Sequence, residues 1–309
     1  ICSEKKGVWR IEKELPIGNV MKRRVDMLKI REHIYTITEN LGSNDSAIVT
    51  EEGVVLIDTP HKPSDALDWY AFVRTLGEIK YLINTDHHPD HVTGNYFMPG
   101  VIVSHEGTRK NLIEKPLTPE HTRELMEFMD KPALRLIEHG FFYRPPTITY
   151  SDRMQLYLGK TEFRLWHRRA HTPNSTLIYL PQEKVLFSGD IVCTIGIPCL
   201  GGSCLREWLQ VLDELEALDF TTIVPGHGEP VEKSYLPKFK QELQTIFEMV
   251  RDRMGKGLTL EEIYDDVHYQ PDLIHCSTKE YIGYCDAEIE KFRKATLREI
   301  YQQIEKGLL

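Results

Sequence analysis

The chain has 309 residues, 41% of them hydrophobic and 28% charged, an ordinary globular balance with enough apolar material for a real core. A formal net charge of −9 with no long basic stripe argues against nucleic acid as a partner, because phosphate binding needs clustered Lys and Arg. No run approaches the ~20 apolar residues of a membrane span, and a chain this long has no need of disulfide staples for its six cysteines, Cys2, Cys193, Cys199, Cys204, Cys276 and Cys285.

In chain order, Lys22-Arg23-Arg24 reads as a solvated face, and residues 25–58 read as strands. Ser46–Thr50 and Val54–Asp58 flank Glu51-Glu52-Gly53, a hairpin signal with Gly at the tight turn. Leu67, Tyr70, Ala71, Val73 and Leu76 recur at helical spacing, and Gly77 is placed to close that helix. Tyr81-Leu82-Ile83 and Val101–Ser104 read as short buried strands. Residues 106–140 are charged and helical, divided by Pro116, Pro119 and Pro132. Residues 147–166 are β in pattern. Thr176–Leu180 and Lys184–Phe187 form a second hairpin, 205–218 an amphipathic helix, and Thr221–Val224 another strand. From 235 onward the period is helical, with Leu236, Phe239, Leu243, Ile246, Phe247 and Val250 on one stripe and a last helix over 286–306. Helices alternate with strands throughout, so the fold class is α/β.

Four of these strands adjoin loops rich in His or Asp: after Ile83, before His171, after Phe187 and after Val224. Loops at strand ends converge over a rigid sheet, where function collects. The densest is Asp86-His87-His88-Pro89-Asp90-His91. So many ionisable groups in one turn repel each other or demand desolvation unless a cation gathers them. Imidazole nitrogen and carboxylate oxygen suit borderline divalent metals such as zinc. No other catalytic set competes: Gly201-Gly202-Ser203-Cys204 is not a nucleophile elbow, and there is no P-loop or dinucleotide fingerprint.

With these motifs, residues 30–230 resemble the metallo-β-lactamase superfamily, whose signature H-x-H-x-D-H is followed by a distant His, a distant Asp and a final His. Here it reads Asp86-x-His88-x-Asp90-His91, then His171 in Ala170-His171-Thr172-Pro173, Asp190 in Ser188-Gly189-Asp190, and His227 in Pro225-Gly226-His227-Gly228. The resemblance implies a four-layer αββα sandwich over residues 1–232, with residues 233–309 as a helical C-terminal extension that packs on the domain or forms a homodimer contact. It implies two divalent metal ions: one held by Asp86, His88 and His171, the other by Asp90, His91 and His227, with Asp190 bridging. Asp58 would brace the metal loop by hydrogen bonds. The first signature position departs from the pattern, since Asp86 replaces His. Either Asp86 or a reoriented His87 fills it, and a third carboxylate favours manganese or iron beside zinc.

The expected activity is metal-dependent hydrolysis of a small-molecule substrate. Metal binding lowers a water's pKa from about 15.7 towards ~7, and the attack falls on an ester, lactone, thioester or amide, a β-lactam among them, with Asp90 orienting the nucleophile or protonating the leaving group. The alternatives are phosphodiester or sulfuryl ester hydrolysis, a mononuclear-iron thiol dioxygenase and a non-catalytic binding module. Phe141-Phe142-Tyr143 is a candidate pocket lining, and Arg168 and Arg169 are candidates for binding a carboxylate. His268, His275, Cys276 and Cys285 read as structural. The chain begins at Ile1, so localisation stays open between the cytoplasm, the first choice, and an exported form.

Overall fold

A computed structural model describes residues 3–5, 8–17, 21–115, 118–138, 140–268 and 286–309. Pro116, Cys2, His275, Cys276 and Cys285 therefore lie outside the described residues. Among those described, no helix is long and apolar enough to cross a membrane.

Two sheets carry the fold. The first has nine strands in chain order: β1 (Ser3–Lys5), β2 (Val8–Ile17), β3 (Met21–Arg31), β4 (Ile34–Ile37), β5 (Asp45–Thr50), β6 (Gly53–Ile57), β7 (Ile79–Ile83), β8 (Val101–His105) and β9 (Ile148–Tyr150). It is antiparallel as far as β6 and parallel from β6 to β9. The second has six: β10 (Arg153–Leu158), β11 (Thr161–Arg168), β12 (Ser175–Leu180), β13 (Val185–Cys193), β14 (Thr222–His227) and β15 (Val231–Glu232). Only β13 and β14 run parallel there.

Residue alternation decides the layering. In β6, Val55 and Ile57 face the second sheet, where Phe163, Leu165, Ile178 and Phe187 complete an inner core. Val54 and Leu56 face outward and are covered by Trp69 and Phe72 of α1 (Pro63–Val73). A strand buried on both faces reads as an unbroken apolar run, as Val54–Ile57 does. Outside the second sheet, α6 (Leu205–Ala217), α7 (Leu236–Gly255) and α9 (Asp286–Glu305) pack through Trp208, Leu212, Phe239, Leu243, Ile246 and Ile300 against Leu177, Leu186 and Ile223. The result is the expected αββα sandwich, with the apolar stripe from Leu236 to Val250 buried in this outer core.

Two details differ from the sequence reading. Helix α1 closes at Arg74, not at Gly77, because Thr75 and Leu76 donate to the carbonyls of Phe72 and Val73 in a tightened last turn. Strands β1 and β2 carry no pattern that announced them, whereas helix α8 (Leu260–His268) lies in the stretch read as helical from 235 onward. Between the sheets' strand ends lie the short helix α2 (Pro89–Val92), a 3-10 helix (Thr93–Phe97), and α3 (Glu106–Glu114), α4 (Pro119–Met129) and α5 (Leu134–Ile137).

Candidate metal centre

The metal loop leaves the end of β7 and turns into α2, with Pro89 at the first helical turn. Asp58, just past β6 and held at a positive φ of 55°, braces it. Its Oδ1 accepts from the Thr85 amide at 2.8 Å, and its Oδ2 accepts from the Thr85 hydroxyl at 2.6 Å and lies 2.9 Å from His91 Nδ1. A proton held on that Nδ1 leaves Nε2 as the nitrogen that His91 offers to a cation. His227 is oriented the same way, its Nδ1 2.9 Å from the Gly42 carbonyl.

The seven residues named from sequence come together in two groups. In the first, His88 Nδ1 lies 3.1 Å from Asp86 Oδ2 and 3.2 Å from His171 Nε2, which is 3.7 Å from the same carboxylate oxygen. In the second, His227 Nε2 lies 3.2 Å and His91 Nε2 3.7 Å from Asp90 Oδ2. Asp190 stands between them. Its Oδ2 is 3.4 Å from His171, and its Oδ1 is 3.4 Å from His91 and 3.2 Å from His227. Four ligands at about 2.0–2.1 Å on tetrahedral corners lie about 3.3–3.4 Å apart, so each group has the spacing of a cation's shell. His91 Nε2 and Asp190 Oδ1 are buried with no hydrogen-bond partner, which a cation between them explains. The donor set fits two divalent ions.

Asp86 takes the position where the signature has His. It divides its carboxylate, Oδ1 accepting from the His88 amide at 2.8 Å and Oδ2 facing the first group. His87 lies outside both groups, its ring packed on His88 at 4.7 Å.

The electrostatics follow. Burial alone would raise the carboxyls of Asp86, Asp90 and Asp190, but the surrounding imidazoles hold all three well below the ordinary carboxylate range. Burial also opposes charge on His88 and His227, yet the facing carboxylates, Asp86 for one and Asp190 with Asp90 for the other, lift them to about 9 and about 10. For His171 burial wins, and it falls to about 4. In the absence of metal, protons do part of the cation's task.

Several supporting residues are absent from the sequence reading. Asn44 donates to the carbonyls of Pro225 and Gly228, clamping the loop of His227. Asn95 and Asn84 exchange side-chain hydrogen bonds beneath the metal loop. His61 is 2% exposed beside Asp90, and neither ring nitrogen has a hydrogen-bond partner. The Gly42-Ser43-Asn44 and Gly94-Asn95 turns were the available hints; Pro60-His61 offered none. Arg168 pairs with Glu214 at 2.7 Å, and Arg169 lies 3.6 Å from Glu207 and donates to Cys204 Sγ at 3.4 Å.

A family model described as "Metallo-beta-lactamase superfamily" matches residues 39–227. The chain is 23% identical over 300 residues, 82% of its length, to a linear primary-alkylsulfatase of Pseudomonas sp. (strain ATCC 19151), and covers 54% of that protein. It is 21% identical over 67% of its length to a metallo-beta-lactamase type 2 of Elizabethkingia meningoseptica, covering 79% of it. The solved structure of the sec-alkylsulfatase Pisa1 from Pseudomonas sp. shares the fold at a TM-score of 0.64 and 18% identity, over 90% of this chain and 50% of that one. The chain thus spans about half the length of the alkylsulfatases it matches.

Proposed function

The chain belongs to the metallo-β-lactamase superfamily, and from that premise we propose that it is a two-metal hydrolase of ester-type bonds: carboxylic esters, lactones and thioesters first, with amides in the same class. The observation that carries this reading is the division of Asp190, one carboxylate oxygen toward each histidine group. A bridging carboxylate is what a pair of cations, and not one, requires. When bound, such a pair supplies an activated water and a Lewis acid for the oxygen of the bond under attack.

The chain's own residues divide the remaining labour. His91 and His227 are locked in one tautomer by Asp58 and Gly42, so their Nε2 atoms are preorganised and cost no rearrangement on loading. Asp90 is the carboxylate of the set most open to solvent, with its side chain 25% exposed against 3% for Asp86 and 6% for Asp190. That exposure supports a role for it in contact with substrate, orienting the attacking water and returning a proton to the leaving group.

A sulfuryl ester is the second reading, favoured by the match to a linear primary-alkylsulfatase over most of the chain. The test is metal content of the purified protein, followed by p-nitrophenyl acetate, sulfate and phosphate side by side. Two equivalents of divalent metal and esterase activity lost in Asp190→Ala are expected. Sulfate turnover without ester turnover transfers the assignment to the second reading, and full activity of Asp190→Ala removes both.

A further inference from the structure

An aromatic strip runs from the metal centre to the surface. Residues 141–144 follow α5 and are fastened to the 3-10 helix that continues the metal loop. Arg144 donates from Nη1 to the Asn95 carbonyl at 2.8 Å and to the Met98 carbonyl, and from Nη2 to the Gly100 carbonyl at 3.1 Å. Rings of the two segments interlock: Tyr96 meets Phe141 at 5.1 Å and Phe142 at 5.7 Å, and Phe141 meets Phe97 at 6.3 Å and Tyr143 at 5.2 Å.

The strip is graded from inside to outside. Tyr143 is 8% exposed, and its hydroxyl is buried beside Thr122 and Thr93 at the Asp90 end. Phe142, at the other end, is 56% exposed. A second exposed apolar side chain, Ile195, adjoins the same metal group from a different element. Its Cγ2 lies 3.0 Å from where a Cβ on Gly228 would sit, next to His227. Arg144, the cation within the strip, is committed to carbonyls. An exposed phenylalanine joined by packed rings to the segment that continues the metal loop, with a second exposed apolar side chain beside the His227 loop, suits an apolar chain with a polar end directed inward.

We propose that Tyr96, Phe97, Phe141, Phe142, Tyr143 and Ile195 form the subsite for an apolar alkyl or acyl chain of the substrate, with Tyr143 at its inner end. This rests on the hydrolase reading for the chain's purpose, though not for its binding.

The experiment uses the zinc-loaded protein and straight-chain 1-alkanols from butanol to octanol, with Kd read by ligand-observed NMR titration. A fully buried CH2 is worth about a fourfold change, so Kd is expected to fall about two- to fourfold per added CH2. Phe142→Ser and Ile195→Ser, both surface changes, should each flatten that slope while the metal content stays at the wild-type level. A Kd indifferent to chain length, or a slope unchanged in both variants, overturns the subsite. A parallel series of p-nitrophenyl esters from acetate to octanoate separates the two proposals. Chain-length-dependent binding with no ester cleaved leaves the subsite standing and sinks the hydrolase. Cleavage indifferent to chain length, with flat alkanol binding, does the reverse.

Discussion

At the scale of single residues, the metal centre is a balance of charge held in a small volume. His88 and His227 keep their protons up to about 9 and about 10, where a free imidazole titrates near 6.5. Groups whose folded pKa is raised give their full stability below the unfolded value and lose it as pH climbs through the folded one. The carboxylates, held low, are ionised across that whole interval and change nothing in it. The metal-free protein should therefore melt at progressively lower temperature between pH 6.5 and 10. The zinc-loaded protein should not, since ligation needs the imidazoles deprotonated. Calorimetry of chelated and loaded samples checks this, and a metal-free melting point that rises over the interval contradicts it.

At the scale of elements, the position of Asp190 is a property of β13 and β14. The two strands run parallel, and their register shifts twice, between Phe187 and Gly189 and again between Gly189 and Cys193. Irregularities of this kind re-aim a side chain beside a site, here the bridging carboxylate. Gly226 of β14 fits beneath it: a Cβ there would overlap Asp190 Oδ1 and lie 2.6 Å from the Gly189 carbonyl carbon. Gly226→Ala should displace Asp190, cost about 1–3 kcal/mol of stability by overpacking, and lower metal occupancy, measurable by thermal melting and elemental analysis. Metal content and stability equal to wild type would show that the close approach is not needed.

This element also marks how far the sequence could be read. The ligand residues were legible because their chemistry excludes other company: three carboxylates and four imidazoles do not gather without a cation. The buried strands β5 to β8 were legible from apolar runs bounded by turns. Strands β1 and β2 were not, because Glu12-Lys13-Glu14 and Pro16 give them neither period. His61, Asn44 and Asn95 were missed for a related reason. A lone polar residue looks like surface until the chain that buries it is known.

At the scale of the whole molecule, the last helix reaches back to the centre. Gln303 of α9 donates from Nε2 to the Ser203 carbonyl at 2.7 Å, and its Oε1 accepts from the Leu205 amide at 3.3 Å. The Thr296 hydroxyl accepts from the Leu200 amide at 3.2 Å. These bonds fix the segment 200–205, which lies between the Asp190 strand and α6. Gln303→Ala would leave Ser203 and Leu205 with unmet backbone groups in a buried place, at about 1–3 kcal/mol. A lowered melting point with unaltered metal content is expected, since no ligand is carried by that segment. Loss of metal in this variant would mean that the helix supports the ligands themselves.

The indole of Trp208 is fully buried, donates to the Ile191 carbonyl at 2.9 Å, and meets the ring of His171 in a T-shaped pair with centroids 5.7 Å apart. Among the four tryptophans this places a built-in lamp beside the first cation position. Titrating the apoprotein with a paramagnetic ion such as cobalt(II) should dim its emission in a saturable step, and Trp208→Phe should abolish most of that signal, so that filling of one half of the centre becomes visible by spectroscopy without any substrate in hand.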